Sequence, residues 1–224
     1  MSQPEAGPDD ALSLQIRQVG VQPQDDGSYR VLIDSSRGEL RGILHPCQGG
    51  EGGVVWVSGA IGGLDGPANK VYAALGAGLV NEGLTSLRLD YRLAGELEEC
   101  VLDTLGGVSV LKGLGATRIA LVGHSFGGAV VITAGTLSPM VKAVAALSSQ
   151  TYGATGAGKL SPRPLLLVHG DEDTRLAPTC SQTIYDWAEE PKEMVIYPGA
   201  GHGLGECAVE LRGLLKDWLV NQVG

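Results

Sequence analysis

The sequence predicts an α/β protein with a mostly parallel central sheet, helices on both faces and an antiparallel N-terminal hairpin. Three observations carry this. From residue 54 onward, short apolar runs alternate with segments of helical spacing. That is the pattern of strands buried on both faces and joined by crossover helices. Before residue 54 the runs follow one another with only a turn cluster between them, as in a hairpin. Glycine is abundant, 35 of 224 residues, with no G-X-Y period, and it falls between the apolar runs where tight turns and close packings need it.

Taken in order, residues 1–11 (MSQPEAGPDDA) are rich in Pro, Asp and Gly and are expected to be disordered. Residues 12–224 are expected to form one domain. LSLQIRQVGV (12–21) alternates loosely, as an edge strand does. YRVLI (29–33) and ELRGIL (39–44) flank the turn cluster DSSRG and predict the hairpin. VVWVS (54–58) is a continuous apolar run and predicts a strand buried on both faces. PANKVYAALGAGLVNEG (67–83) predicts a helix, with proline near its start and Asn81 and Gly83 at its end. LTSLRLD (84–90) predicts a strand. Residues 95–115 predict a helix whose acidic first turn suits the positive end of the helix dipole. ATRIALVG (116–123) is a strand, 125–137 a helix stopped by Ser138-Pro139, and VKAVAALSS (141–149) and PLLLVHG (164–170) are strands. A helix over 177–189, the strand EMVIYP (193–198) and a closing helix over 204–222 complete the order.

The composition excludes several classes. With 43% hydrophobic and 18% charged residues the chain can form a core. The net charge is −9, and no basic stripe exists to neutralise phosphates, so a nucleic-acid partner is not expected. Cys47, Cys100, Cys180 and Cys207 are widely spaced with no C-x-x-C pair, which argues against a zinc site or a disulfide framework and fits a reducing cytoplasm. The first residues lack the basic and apolar regions of a signal peptide, and no apolar run reaches the ~20 residues of a membrane span. A cytoplasmic setting without a membrane partner is expected.

In parallel sheets, sites form at the carboxyl ends of strands. There the sharpest motif is Gly123-His124-Ser125-Phe126-Gly127-Gly128, between the strand RIALV and an apolar helix. This is G-x-S-x-G in the strand–turn–helix setting the motif requires. A serine pushed out on so sharp a turn needs neighbours without side chains, and it stands at a helix N-terminus, which favours negative charge. A serine nucleophile needs a base. Of the four histidines, His45 precedes the alternating part, and His124 neighbours the serine with its side chain expected to point away. His169 flanks an acidic loop in what looks like a structural role. His202, in the glycine-rich loop after the last strand, is the candidate base. The acid that orients it comes from Asp171, Glu172 or Asp173. Any of the three could serve. Asp173, further into the loop, is favoured, and Asp171 is read as holding backbone N–H groups of the turn.

The order serine, aspartate, histidine and the motifs GHSFGG, HGDEDTRLAP and GAGH resemble the α/β-hydrolase superfamily, close to its small dienelactone hydrolase-like members. The resemblance runs from about residue 29 to the C-terminus. It implies Ser125 as nucleophile, His202 as base and Asp173 as acid. It also implies an oxyanion hole made by the backbone N–H groups of Phe126 and of Ala60, in the loop SGAIGG (58–63). Many relatives begin that loop with His-Gly, where this chain has Ser58-Gly59. Dienelactone hydrolases carry a cysteine nucleophile, so the serine points to ordinary ester or thioester chemistry. No cofactor or metal is implied.

Asp90-Tyr91-Arg92 is read as a structural Asp/Arg clamp, and Cys180 and Cys207 as small buried residues. Gln150 to Arg163, where the superfamily commonly inserts a helical lid, is short and glycine-rich, so an open site is expected. The expected function is a serine esterase on small acyl esters. A thioesterase or acyl-peptidase on the same triad, or a non-catalytic binding protein on the same fold, are the alternatives.

Overall fold

The computed structural model describes residues 13–224. The expected tail at residues 1–11 lies outside them. Three antiparallel strands come first: β1 (Ile16–Pro23), β2 (Tyr29–Ser35) and β3 (Gly38–His45). Six parallel strands follow: β4 (Gly52–Val57), β5 (Leu84–Asp90), β6 (Arg118–His124), β7 (Val141–Leu147), β8 (Leu165–Gly170) and β9 (Lys192–Tyr197). They make one nine-stranded sheet in the order β1-β2-β3-β5-β4-β6-β7-β8-β9. The antiparallel unit joins the parallel one where β3 pairs with β5.

β1 starts at Ile16 and runs to Pro23, a shift from the expected 12–21. Its ends follow pairing with β2 rather than its own weak alternation: Ile16 opposes Ser35 and Pro23 opposes Tyr29. The turn between them is closed by Asp26, whose Oδ1 accepts from the Ser28 N–H at 3.0 Å and the Ser28 hydroxyl at 2.6 Å.

The inner parallel strands β4, β6, β7 and β8 are largely apolar because both faces are covered. On β4, Val54 and Trp56 pack with α1 (Pro67–Gly78) and α5 (Ala208–Val223), through Val71, Tyr72, Leu75, Leu211 and Leu215. Val55 and Val57 pack on the opposite face with α2 (Leu97–Gly113), α3 (Phe126–Leu137) and α4 (Thr179–Trp187), through Leu111, Val130 and Ile184. The two-residue side-chain period of a strand thus feeds two separate cores.

Left-handed residues stand at the expected starts of two helices. The closing helix begins at Ala208 rather than 204, since Leu204 has φ 53, a left-handed conformation that a right-handed helix does not contain. In α1 the chain makes a left-handed turn at Ala68, Asn69 and Lys70, with φ of 50, 55 and 70, before the right-handed helix proper. The Ala68 N–H donates to the Gly203 carbonyl at 2.7 Å, which ties this turn to the loop carrying His202.

Among the described residues, no lid domain lies over the carboxyl ends of the strands. Gln150–Arg163 carries only a short 3-10 turn, Ala157–Leu160, and its Ala154, Ala157 and Leu160 are buried against the body of the protein. The Thr133 hydroxyl of α3 donates to the Gly153 carbonyl at 2.5 Å.

Candidate active site

The site is assembled by register. Val57 pairs with Gly123, so the loops leaving β4 and β6 emerge side by side. Gly170 pairs with Tyr197, which does the same for the loops leaving β8 and β9. Ser125 stands between β6 and α3 at φ 58 and ψ −120, a conformation costly for a residue with a side chain. Close packing explains its glycine neighbours. A Cβ on Gly123 would lie 2.0 Å from the Gly127 carbonyl oxygen, and one on Gly127 would lie 2.3 Å from the Ser58 carbonyl oxygen.

The loops after β8 and β9 are stapled together by backbone and by one side chain. Gly170 has no room for a Cβ, which would lie 2.0 Å from the Ala200 carbonyl oxygen. The Glu172 N–H donates to that same oxygen at 3.0 Å. Asp171 Oδ1 accepts from the Gly199 N–H at 2.7 Å, so this carboxylate holds the neighbouring loop rather than its own turn. Glu206 accepts from the Gly201 N–H at 3.1 Å and fixes the far side of the His202 loop.

With the loops so held, three side chains form one line. His202 Nε2 is 3.0 Å from Ser125 Oγ, and His202 Nδ1 is 2.7 Å from Asp173 Oδ2. Among the three carboxylates of the acidic loop, Asp173 is the one that reaches His202. Its side chain is fully enclosed. Its Oδ1 accepts from the Arg175 and Leu176 N–H groups at 2.8 and 2.9 Å. Burial works to raise the Asp173 pKa, but the Leu176 N–H, the His202 ring and the Arg175 N–H outweigh it and hold the carboxyl below its ordinary range. An ionised acid, a ring with a fixed tautomer and a hydroxyl in this order can move a proton from Oγ to Nε2.

The line opens into a cleft of about 550 Å³ whose walls include Ser125, His202, Phe126 and the loop from Ser58 to Gly63. Phe126 begins α3, and Ala60 lies across the cleft. Among the described residues, neither of their N–H groups donates to another backbone carbonyl. Gly62 donates to the Gly59 carbonyl at 3.0 Å and Gly63 to Asp90 Oδ1 at 2.7 Å, which shapes the loop around Ala60. Ile61 beside it is almost wholly exposed.

Several sequence readings change here. Asp90 and Arg92 are not partners: Asp90 holds Gly63, whereas Arg92 binds the buried Asp103 at 2.5 Å and Glu99 at 2.8 Å. The His124 ring does not turn away from the site; it lies 4.9 Å from the His202 ring and lines the cleft. Cys180 is half-buried, not buried, while Cys207 is buried. His45 lies apart from the cleft, 3.4 Å from Arg88. His169 has more than a flanking position, since its Nε2 is 3.1 Å from Asp173 Oδ2. Its signal in the sequence is the His-Gly pair that ends β8, four residues before Asp173.

Solved structures with this arrangement of strands and helices include an esterase domain from a Rhodothermus marinus protein. It superposes with a TM-score of 0.72 at 20% identity, over 88% of this chain and 99% of that one. Dienelactone hydrolase from Anabaena variabilis matches with a TM-score of 0.68 at 24% identity, over 91% of this chain and 100% of that one. The chain has the α/β-hydrolase fold. Another structure of this fold, Est1E from Butyrivibrio proteoclasticus with ferulic acid bound, gives a TM-score of 0.69 at 18% identity, over 82% of this chain and 95% of that one. No protein-family model matches the chain. One 44-residue stretch is 48% identical to part of an uncharacterised Pseudomonas aeruginosa protein, spanning 20% of this chain and 11% of that protein. The cleft of this chain is surrounded by the loops after β4, β6, β8 and β9, with Gln150 from the loop after β7.

Proposed function

We propose that the protein is a serine hydrolase that cleaves small acyl esters through an acyl-enzyme. The observation that carries this reading is the hydrogen-bonded line from Ser125 through His202 to Asp173, opening into a cleft. In this reading His202 Nε2 takes the Ser125 proton as Oγ attacks the acyl carbon. The Phe126 and Ala60 N–H groups receive the oxyanion. His202 then returns the proton to the leaving alcohol, and the acyl group stays on Oγ. A water, deprotonated by the same nitrogen, releases the acid and restores the serine.

Small acyl groups are favoured because, among the described residues, no lid domain closes over the cleft to enclose a long chain. An esterase domain among the structures of the same fold supports the ester class. A cytoplasmic setting agrees with four cysteines that are all unpaired. Among the described residues, no helix is long and apolar enough to cross a membrane.

The test is hydrolysis of p-nitrophenyl esters from acetate to octanoate by the wild type and Ser125→Ala side by side. The expected result is activity that falls with chain length and is lost in the variant. Full activity in Ser125→Ala would overturn the reading.

A further inference from the structure

The Asp173 carboxylate is approached by two histidines, and both converge on the same oxygen. His202 Nδ1 lies 2.7 Å from Oδ2 and His169 Nε2 lies 3.1 Å from it. His169 Nε2 also faces the Leu176 carbonyl at 2.9 Å. A nitrogen that faces two acceptors carries the hydrogen. The other nitrogen, Nδ1, is 2.7 Å from the Ser181 hydroxyl. His169, Ser181 and the Asp173 side chain are fully enclosed, so no solvent competes for these bonds.

We propose that His169, clamped by Ser181, is a positioning residue for the triad acid: it fixes Asp173 Oδ2 on its line to His202. This rests on the serine hydrolase reading above. The Ser181 hydroxyl donates to Nδ1 and selects the tautomer with hydrogen on Nε2. That hydrogen is shared between Asp173 and Leu176. Asp173 then accepts four hydrogen bonds, two on each oxygen, counting the Arg175 and Leu176 N–H groups on Oδ1. A carboxylate held this way cannot rotate without breaking bonds on both oxygens. A histidine that merely filled space and capped the loop would need only its bond to Leu176. The approach to the very oxygen that His202 uses gives the ring a part in the reaction's geometry. Because Ser181 lies on α4, the relay also anchors the acid to a helix rather than to its loop alone.

The experiment compares His169→Leu, His169→Gln and Ser181→Ala with the wild type on one short ester. Leu removes both polar atoms, whereas Gln keeps an N–H donor that can reach Asp173. Expected for His169→Leu is a kcat lower by about 10- to 100-fold, the scale on which outer partners of a functional ligand act. KM should stay within about twofold, since the ring is enclosed and touches no substrate. His169→Gln should recover most of that loss. Ser181→Ala should lower kcat by about threefold to tenfold at unchanged KM, as loss of one neutral hydrogen bond does.

The spectroscopic readout is the downfield proton resonance of the His202 Nδ1–H bond to Asp173. It should shift in His169→Leu and move back in His169→Gln. Wild-type kcat in Ser181→Ala, equal losses in Leu and Gln, or a resonance that does not move would each overturn the proposal. Should His169→Leu fail to fold, Ser181→Ala and His169→Gln decide alone through kcat and the resonance. Labelling Ser125 with a serine-directed phosphonate in every variant separates the two readings. If wild-type Ser125 does not label, the hydrolase reading fails; if it labels and the His169 and Ser181 variants behave as wild type, only the positioning role fails.

Discussion

His124 Nε2 lies 2.9 Å from the backbone carbonyl oxygen of His202, and the two rings are 4.9 Å apart at an interplanar angle of 49°. Burial pushes the His124 pKa down to about 4, against the opposing pull of the His202 carbonyl. Near neutral pH the ring is therefore uncharged, and its Nε2–H donates to the carbonyl. The residue before the serine thus holds the backbone of the residue that faces it. Replacing it with Phe keeps the ring and removes the donor. Steady-state kinetics of His124→Phe should show kcat lower by about tenfold, as expected when one buried hydrogen bond is lost.

The same residue predicts a loss of stability in acid. In the unfolded chain a histidine takes up its proton near pH 6.5, but in the folded chain His124 does so only near pH 4. Between those values the unfolded state binds more protons, so stability falls as pH falls. The full effect is on the order of 3 kcal/mol at 1.36 kcal/mol per unit. Urea unfolding at pH 7 and pH 5 should show the wild type losing roughly 2 kcal/mol more than His124→Phe. Asp173, held below its ordinary range, acts in the same direction at lower pH, since its stabilisation is lost as pH falls through its folded value.

Ser125 carries strain that the proposed nucleophile role requires. At φ 58 and ψ −120 a glycine would sit without penalty. Ser125→Gly should abolish ester hydrolysis and raise stability by about 1 kcal/mol, a typical cost of such a conformation. Ser125→Ala should abolish hydrolysis without that gain. Calorimetry on the two inactive variants reads the difference directly. Asp173→Asn should keep the fold and lower kcat by about 10⁴, the loss seen when a triad acid can no longer select the tautomer.

Gly170 is the point where the acid and base loops touch backbone to backbone. Because a Cβ there would meet the Ala200 carbonyl oxygen at 2.0 Å, Gly170→Ala must push the two loops apart. The expected cost is about 1–3 kcal/mol of stability, with a drop in kcat that exceeds any change in KM. Denaturant unfolding and steady-state kinetics on the one variant check both.

The left-handed turn at the start of α1 reverses an ordinary rule. Glycine within a right-handed helix costs roughly 0.5–1 kcal/mol relative to alanine. Lys70 has φ 70, so Lys70→Gly should instead stabilise the protein, by about 0.5–1 kcal/mol. The ion pair it gives up, to Asp65 at 3.2 Å, is largely exposed and contributes little. A melting temperature that falls would show that this turn does not hold in solution.

The alternation of strand and helix was legible because both faces of the parallel strands are covered, which leaves continuous apolar runs such as Val54–Val57. The loops around Ser125, Asp173 and His202 were legible for a steric reason. Their glycines stand where backbones approach too closely for a Cβ, as at Gly123, Gly127 and Gly170. Contacts that depend on three-dimensional convergence were not. The approach of His169 to Asp173 Oδ2 needs the loop to turn back on its own strand. His124 was expected to face away from the Ser125 side chain on this turn, but with Ser125 at φ 58 its ring lines the cleft. Asp90 and Arg92, close in sequence, serve different loops because their strand ends between them. The start of β1 was blurred because an exposed edge strand needs little apolar patterning.

β9 is the rim of the sheet: it pairs with β8 alone, and none of its six residues is fully buried. His202 hangs from the loop that leaves it. The strands that present Ser125 and Asp173 lie further in, so the proposed base depends on the least anchored of the three supports. Amide protons of β9 should exchange with solvent ahead of those of β4 and β6, through openings that leave the centre intact. On gentle heating the protein would then fall silent while its far-ultraviolet dichroism is still native, and return to work on cooling.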